Sequence, residues 1–302
     1  MIKKYINTLH CKDNLELMKE LPDNSIDLIY GDILYGTGNN FGEYKDLKIN
    51  LKEKLIFGII PETIYVHYFK RIKEFHRILK DSGSIYLQMD TRINHWIRIM
   101  MDMIFKYDNF RNEITWNYKF GASPTRHFSK THDIILFYSK INDYIFNDIT
   151  HIFKSSERTQ NEYKHLADKN GNILMKDLPK HLRNGPMYKR TAKKDNDIAI
   201  NIYKGKPLDW WEIPIVSRKH NPELKHGKYP TQKPKAILKR IILASSNKND
   251  IVFDPYCGSG VTAQVAIENN RNFIVCDINQ NAIDLSYKKV KHHLKTQKYF
   301  KF

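Results

Sequence analysis

The sequence predicts an α/β fold built on an open, parallel-type sheet. Three observations carry this. Strand-like and helix-like segments alternate over residues 5–105. The alternation returns from Pro234 onward. Between them, residues 147–228 form a long polar, basic stretch with little periodicity. Strands alternating with helices around a polar interruption are the pattern of a layered α/β domain with an insertion.

Each element has a local reason. Residues 5–10 read as a short strand. Asp13 then stands where a helix N-cap belongs, with Glu16 at capping-box spacing and Leu15, Met18 and Leu21 as an apolar stripe. Pro22-Asp23-Asn24 turns the chain into a buried-type strand over 26–30, which ends at Gly31-Asp32 before a polar loop rich in glycine. The spacing of Val66, Phe69, Ile72, His76 and Leu79 predicts an amphipathic helix over 62–80, stopped by Ser82-Gly83. A strand over 84–89, a helix over 94–105 and strands over 113–118 and 133–138 follow. Pro234 suits the first turn of a helix to 246. Strand 251–254, loop 255–260, helix 261–270, strand 272–276 and a last helix to about residue 294 complete the chain.

Composition narrows the function classes. Lys and Arg number 50 against 33 Asp and Glu, a net charge of +17 with a pI of about 9.5. A polyanionic partner is the natural inference, since each neutralised phosphate releases counterions. A Lys-rich chain from an AT-rich genome would show the same excess, so charge alone does not decide. No apolar run approaches the roughly 20 residues of a membrane helix, and no apolar stretch follows Lys3 and Lys4 as in a signal peptide. A cytoplasmic location and no membrane partner are expected. Cys11, Cys257 and Cys276 are scattered singly, without metal-ligand spacing.

The strongest local signal is Asp254-Pro255-Tyr256-Cys257-Gly258-Ser259-Gly260 between a strand and a helix. Glycines at a strand's carboxyl end let a ligand touch the backbone. Asp277, ending the next strand, is placed to accept both hydroxyls of a ribose. Gly258-x-Gly260-x-x-Ala263 also satisfies the dinucleotide fingerprint, so a nicotinamide oxidoreductase is a rival. Too few residues follow Asp277 for a second mononucleotide half. A sulfonium cofactor suits the Asp-Pro-aromatic lead-in better: it offers a cation for the Tyr256 ring and an ammonium for Asp254.

With Tyr229-Pro230-Thr231-Gln232-Lys233-Pro234 ahead of that segment, and 21–29 leading into Asp32-Ile33-Leu34-Tyr35 at the front, the chain resembles the β-class, or circularly permuted, DNA amino-methyltransferases. This is the N6-adenine/N4-cytosine family of restriction–modification systems. The resemblance covers most of 5–145 and 226–290. It implies a doubly wound, mostly parallel sheet of the S-adenosylmethionine-dependent methyltransferase type, in permuted order. It divides the chain into a catalytic half (1–146), an inserted target-recognition region (147–228) and a cofactor-binding half (229–302).

Carried onto this sequence, the resemblance puts Asp254, Tyr256, Gly258, Ser259, Gly260 and Thr262 around the methionine part of S-adenosyl-L-methionine. Asp277 takes the ribose, and Thr231, Lys233 and Pro234 complete the wall. Asp13 contacts the cofactor adenine besides capping its helix, and Asp32 borders the cofactor as well as the base.

The family's catalytic tetrapeptide is Asp-Pro-Pro-Tyr. An exocyclic amine is a poor nucleophile because its lone pair is delocalised into the ring. Two acceptors on its two N–H groups favour a pyramidal nitrogen that can attack. Asp32 supplies one and the backbone carbonyl of Ile33 the other, while Tyr35 stacks on the extruded base. Loss of both prolines predicts a more mobile loop. Asp rather than Ser at 32 points to adenine. N4-cytosine methylation by the same residues, and a DNA-binding relative weakened by Ile33-Leu34, are the alternatives. Without a Pro-Cys nucleophile, direct displacement is the expected route.

For double-stranded DNA, Ser123, Arg126, His127 and Lys130 lie in the loop where the family faces its substrate. In the insertion, Arg183, Lys189 and Arg190 are phosphate candidates. Trp210-Trp211 reads as core or as a DNA wedge. A cognate restriction endonuclease and a homodimer are the partners the resemblance implies.

Overall fold

The computed structural model describes residues 2–40, 45–50, 52–118, 124–183, 194–216, 221–227 and 229–291. The chain forms two compact units, 1–147 with 209–302, and 148–208.

The first unit holds an eight-stranded sheet. Its strands are β1 (Thr8–Cys11), β2 (Ile26–Asp32), β3 (Leu79–Met89), β4 (Phe110–Asn117), β5 (His132–Ser139), β6 (Trp210–Glu212), β7 (Ile251–Asp254) and β8 (Asn272–Asp277). Their spatial order is β1-β8-β7-β2-β3-β5-β4-β6. Every pairing is parallel except the two made by β5.

Alternation along the strands divides the core in two. Ile29, Ile85, Leu87, Leu136, Phe253 and Ile274 point to one face. There they meet α1 (Asn14–Glu20), α2 (Glu62–Ile78) and α3 (Asn94–Phe105). Leu28, Tyr30, Tyr86, Phe137, Val252 and Phe273 point to the other. They meet α4 (Lys235–Ala244), α5 (Val261–Glu268) and α6 (Gln280–Val290). Helices on both faces of a mostly parallel sheet make the doubly wound fold that the sequence predicts.

Several elements differ from their sequence reading. Residues 2–5 form a 3-10 turn, and the strand starts at Thr8 because Asn7 takes a left-handed backbone (φ 58°) and bonds the main chain of Phe273. In α2 the buried stripe is Ile64, Tyr68, Ile72, Phe75 and Ile78, and Val66 is 54% exposed. Two stripes of that helix have the required spacing, and the sheet takes the bulkier one. Ser82-Gly83 lies inside β3, which leaves α2 at once and pairs with β2 through a register shift between Ile26 and Leu28.

The second unit has its own small core of Ile173, Met175, Leu178 and Ile202 around the antiparallel pair Asn172–Leu174 and Ile198–Asn201. Beyond it, 209–228 belongs to the first unit, because Trp210–Glu212 joins the main sheet alongside β4. Trp211 is buried under the guanidinium of Arg240, whose carbon lies 5.2 Å from the ring centroid, while Trp210 is exposed. Among the described residues no helix is long and apolar enough to cross a membrane. No group of three or more His, Cys, Asp or Glu among them is placed to hold a metal.

Candidate active site

Parallel strands deliver their last residues to one edge of the sheet, and antiparallel β5 delivers its first. Asp32, Asp133, Asp254 and Asp277 therefore gather at that edge. A cavity of about 500 Å³ opens there, and Asp32, Asp133 and Asp277 line it. Two hydrogen-bonded clusters make up its walls.

The first cluster centres on Asp32. Lys233 Nζ donates to Asp32 Oδ2 at 2.6 Å, and the Tyr35 hydroxyl donates to Asp32 Oδ1 at 2.9 Å. The same hydroxyl lies 2.7 Å from Asp133 Oδ2, which also accepts from Gln88 Nε2 at 3.0 Å. Tyr30 donates to Gln88 Oε1 at 2.8 Å, so a buried chain of polar groups runs from the core to the cavity. Burial raises the pKa of Asp32; the charge and hydrogen bond of Lys233 oppose it. Burial also raises Asp133, against Lys233, Tyr35 and Gln88. Such shifts at a cavity wall mark candidate chemistry.

The tetrapeptide is pinned where a loose loop is expected from its missing prolines. Ile33 N–H donates to the Gln88 carbonyl at 3.1 Å, extending the β2–β3 ladder by a bond that proline cannot make. The Ile33 side chain is 2% exposed in the core. Buried Tyr68 donates to the Leu34 carbonyl at 2.7 Å. Beyond Tyr35, the carboxylate of buried Asp46 accepts from Gly36 N, Thr37 N and Thr37 Oγ1.

The second cluster lies along β1, α1, α2 and the loop after β7. Asp13 caps α1 through Leu15 N at 2.7 Å and pairs with Arg71 at 2.5 Å. Arg71 Nε reaches Asn14 Oδ1 at 2.8 Å, and Asn14 Nδ2 donates to the Pro255 carbonyl at 3.0 Å. Asp277 accepts from Gly258 N at 2.9 Å and Asn279 N at 3.0 Å. A carboxylate with two backbone donors retains lone pairs for a diol.

Asp254 is 2% exposed. It accepts from Tyr256 N at 3.0 Å and Thr262 Oγ1 at 2.5 Å, which fixes the turn into α5. Burial lifts its pKa to about 7. Gly258 (φ 45°) and Gly260 (φ 73°) are left-handed, and a Cβ at Gly260 would meet Ser286 Cα at 2.7 Å.

Asp13, Asp32, Tyr35, Thr231, Lys233, Tyr256, Gly258 and Asp277 thus line one cavity, as does Ile33. Ser259, Thr262 and Asp254 line a small adjoining hollow behind Gly258. Pro234 lines neither of these hollows; it stands at the N-cap of α4. Arg126, His127 and Lys130 are exposed on the loop before β5. Arg183, expected at a phosphate, donates to the carbonyls of Leu178 and Lys176 within its own unit, because the end of a short helix leaves those acceptors open. Ser123, Lys189 and Arg190 lie outside the described residues.

The comparisons with known proteins bear on this cavity. The family model for N6/N4 methyltransferases, described as DNA methylase, matches residues 26–288, which takes in the first cluster and all of the second but Asp13 and Asn14. The chain belongs to that family. Among curated relatives, the type II methyltransferase M.BglII of Bacillus subtilis is 27% identical over 292 residues, 94% of this chain and 69% of that protein. The DNA adenine methyltransferase YhdJ of Escherichia coli K12 is 29% identical over 284 residues, 92% of this chain and 80% of that one. Two solved structures share the fold. The cytosine-N4-specific PvuII DNA methyltransferase has a TM-score of 0.56 at 18% identity, covering 94% of this chain and 86% of its own. M1.HpyAVI with S-adenosylmethionine has 0.53 at 17%, covering 94% and 98%.

This DNA methylase uses S-adenosylmethionine as its methyl donor, and the cavity fits that molecule. Tyr256 Oη and His67 Nε2, both on its wall, are buried with no well-formed hydrogen bond to any described residue. Buried polar atoms are rarely left so, and the polar edges of an adenosine would satisfy them. Asp277 can take the ribose there, and Asp254 with Tyr256 the cationic end.

Sequence reasoning missed Asp133, Gln88, Arg71 and Lys289. Gln88, alone among the apolar residues of 85–89, and Asp133, opening an apolar strand, were visible as polar residues in buried strands. Lys289 is 1% exposed and donates to Gln232 Oε1 at 2.8 Å, holding the loop that bears Lys233. Burial lowers its pKa to about 8. Nothing in the last helix's pattern separates it from its lysine neighbours.

Proposed function

We propose that this DNA methylase transfers a methyl group to the N6 amine of an adenine extruded from double-stranded DNA. The observation that carries this reading is the Asp32 carboxylate at the end of β2, beside Tyr35 and on the wall shared with Tyr256 and Asp277. S-adenosylmethionine supplies a methyl group on a cationic sulfur. Asp32 accepts one amine N–H and the Ile33 carbonyl the other, which localises the nitrogen lone pair. As nitrogen gains positive charge, Asp32 stabilises it and is the acceptor for the proton that the nitrogen then sheds. Tyr35 offers its ring to the base. Lys233, hydrogen-bonded to Asp32, opposes the rise that burial imposes on its pKa. Asp at position 32 and the adenine-specific relative favour adenine over cytosine.

The second unit and the exposed basic loop before β5 are read as the DNA-facing parts. A companion restriction endonuclease and pairing of two copies belong to the same reading.

The test is transfer of labelled methyl from S-adenosylmethionine to unmethylated genomic DNA, wild type beside Asp32→Ala, with nucleoside analysis. N6-methyladenine from wild type alone is expected. Label on cytosine would move the target to N4. No label from wild type, with donor binding intact, would sink the catalytic reading.

A further inference from the structure

Phe128 is 97% exposed, in a stretch where every residue from Thr125 to Lys130 faces solvent. Leaving a phenyl ring in water forgoes the transfer free energy that burial would give, and none of the other large apolar side chains among the described residues is as exposed. This ring has a defined place. The loop that bears it joins β4 to β5 and is closed at its base by Tyr118 N donating to the Thr131 carbonyl at 3.0 Å. Tyr118 and Asp133, on either side of that closure, line the active-site cavity. Phe128 is three residues from Thr131, so chain geometry keeps it within roughly 11 Å of the closure. His127 Nδ1 lies 3.0 Å from the Phe128 carbonyl.

Its neighbours indicate the partner. Arg126, His127 and Lys130 are exposed around it. A pocket on another protein would call for further apolar contacts beside the ring. Cations that hold phosphates, with one aromatic face among them, suit stacked bases. Removing a base from a duplex leaves a gap in the stack, which an aromatic side chain can fill.

We propose that Phe128 is a wedge that enters the base stack of bound DNA and occupies the gap left by the extruded base. The proposal rests on the base-extruding reading above. Phe128 touches neither the reacting amine nor the donor; it acts by making extrusion easier.

That role has a test that a structural one would not pass. Methylated positions in wild-type-treated DNA identify a target site. Two short duplexes carry it, one fully paired and one with the target base mispaired and so easier to extrude. Wild type, Phe128→Leu and Phe128→Ala are compared on both, with donor binding as the folding control. Phe128→Ala should lose roughly ten- to hundredfold in kcat/KM on the paired duplex and under about threefold on the mispaired one. Phe128→Leu should fall between. Equal losses on both duplexes, or none on the paired one, overturn the wedge while leaving the methylase reading standing. Failure of wild type to label any DNA overturns that reading and the wedge with it.

Discussion

Lys233 Nζ lies 2.6 Å from Asp32 Oδ2, joining the loop before α4 to the end of β2 across most of the sequence. Tyr35 engages the other oxygen, so the carboxylate is held from both sides. Burial pushes the pKa of Asp32 up and Lys233 pulls it down. In Lys233→Met the carboxyl should therefore stay protonated to higher pH. The acid limb of kcat/KM should move to higher pH, with partial recovery of activity in alkali, in a profile from about pH 5.5 to about 9. A limb that stays put would detach Lys233 from Asp32 ionisation.

Tyr35 lowers the pKa of both carboxylates it bonds. Tyr35→Phe keeps the ring and loses the shared donor. Its kcat should fall by about tenfold or less, with the acid limb displaced upward. Tyr35→Ala also loses the stacking face and should fall about tenfold further, in line with roughly 1–3 kcal/mol per stacked base. Equal rates for the two variants would argue that the ring does not meet the base.

Tyr68 holds the Leu34 carbonyl and Gln88 the Ile33 amide. Tyr68→Phe leaves a buried carbonyl without its donor, at a cost of about 1–3 kcal/mol in stability. If that bond also positions Asp32 and Tyr35, kcat should drop about tenfold while the KM for the donor hardly moves, since small misplacements are costly. Thermal melts and steady-state kinetics on one preparation separate the two effects. A melt that shifts with kcat unchanged makes Tyr68 a stabilising residue only.

Asp254 has its pKa raised from 3.8 to about 7 by burial. The folded state thus binds this proton more tightly than the unfolded chain. Stability without ligand should fall, not rise, as pH climbs from about 4 to about 7 through this group. A cationic ligand favours the ionised form, so affinity for S-adenosylmethionine should rise up to about pH 7 and then level, with up to one proton released on binding below that pH. Calorimetry in buffers of different ionisation enthalpy measures the proton. Asp254→Asn should bind with no such pH dependence, and a wild-type isotherm indifferent to pH would place the ligand's charge elsewhere.

The sheet and both cofactor-side strands were legible because strand period, turn residues and glycines agreed with one another over 251–277. So was Asp32, which ends the buried strand that runs from Ile26. The polar chain Tyr30–Gln88–Asp133–Tyr35 was not, because its members come from β2, β3, β5 and a loop, and only the pairing of those strands brings them together. The Ile33 amide was misjudged for a related reason. Replacing proline was read as a loss of stiffness, yet the replacement restored a donor whose acceptor, the Gln88 carbonyl, lies on another strand. Arg71 was not singled out, because its partners Asp13 and Asn14 belong to the cap and the first turn of α1, far from it in sequence.

The edge strand β1 pairs with β8, Thr8 opposite Ile274 and Cys11 opposite Asp277. On the ribosome, β1 must wait until β8 has been made before its main chain finds this partner. Until then Leu9 and the amides of that strand have no native cover, and the ring closure they require encloses every strand from β2 to β7. Assembly of the cofactor wall therefore waits for β8. Ribosome stalling before β8 should leave chains whose β2 and β3 can already pair, but whose β1 is open to proteases and chaperones.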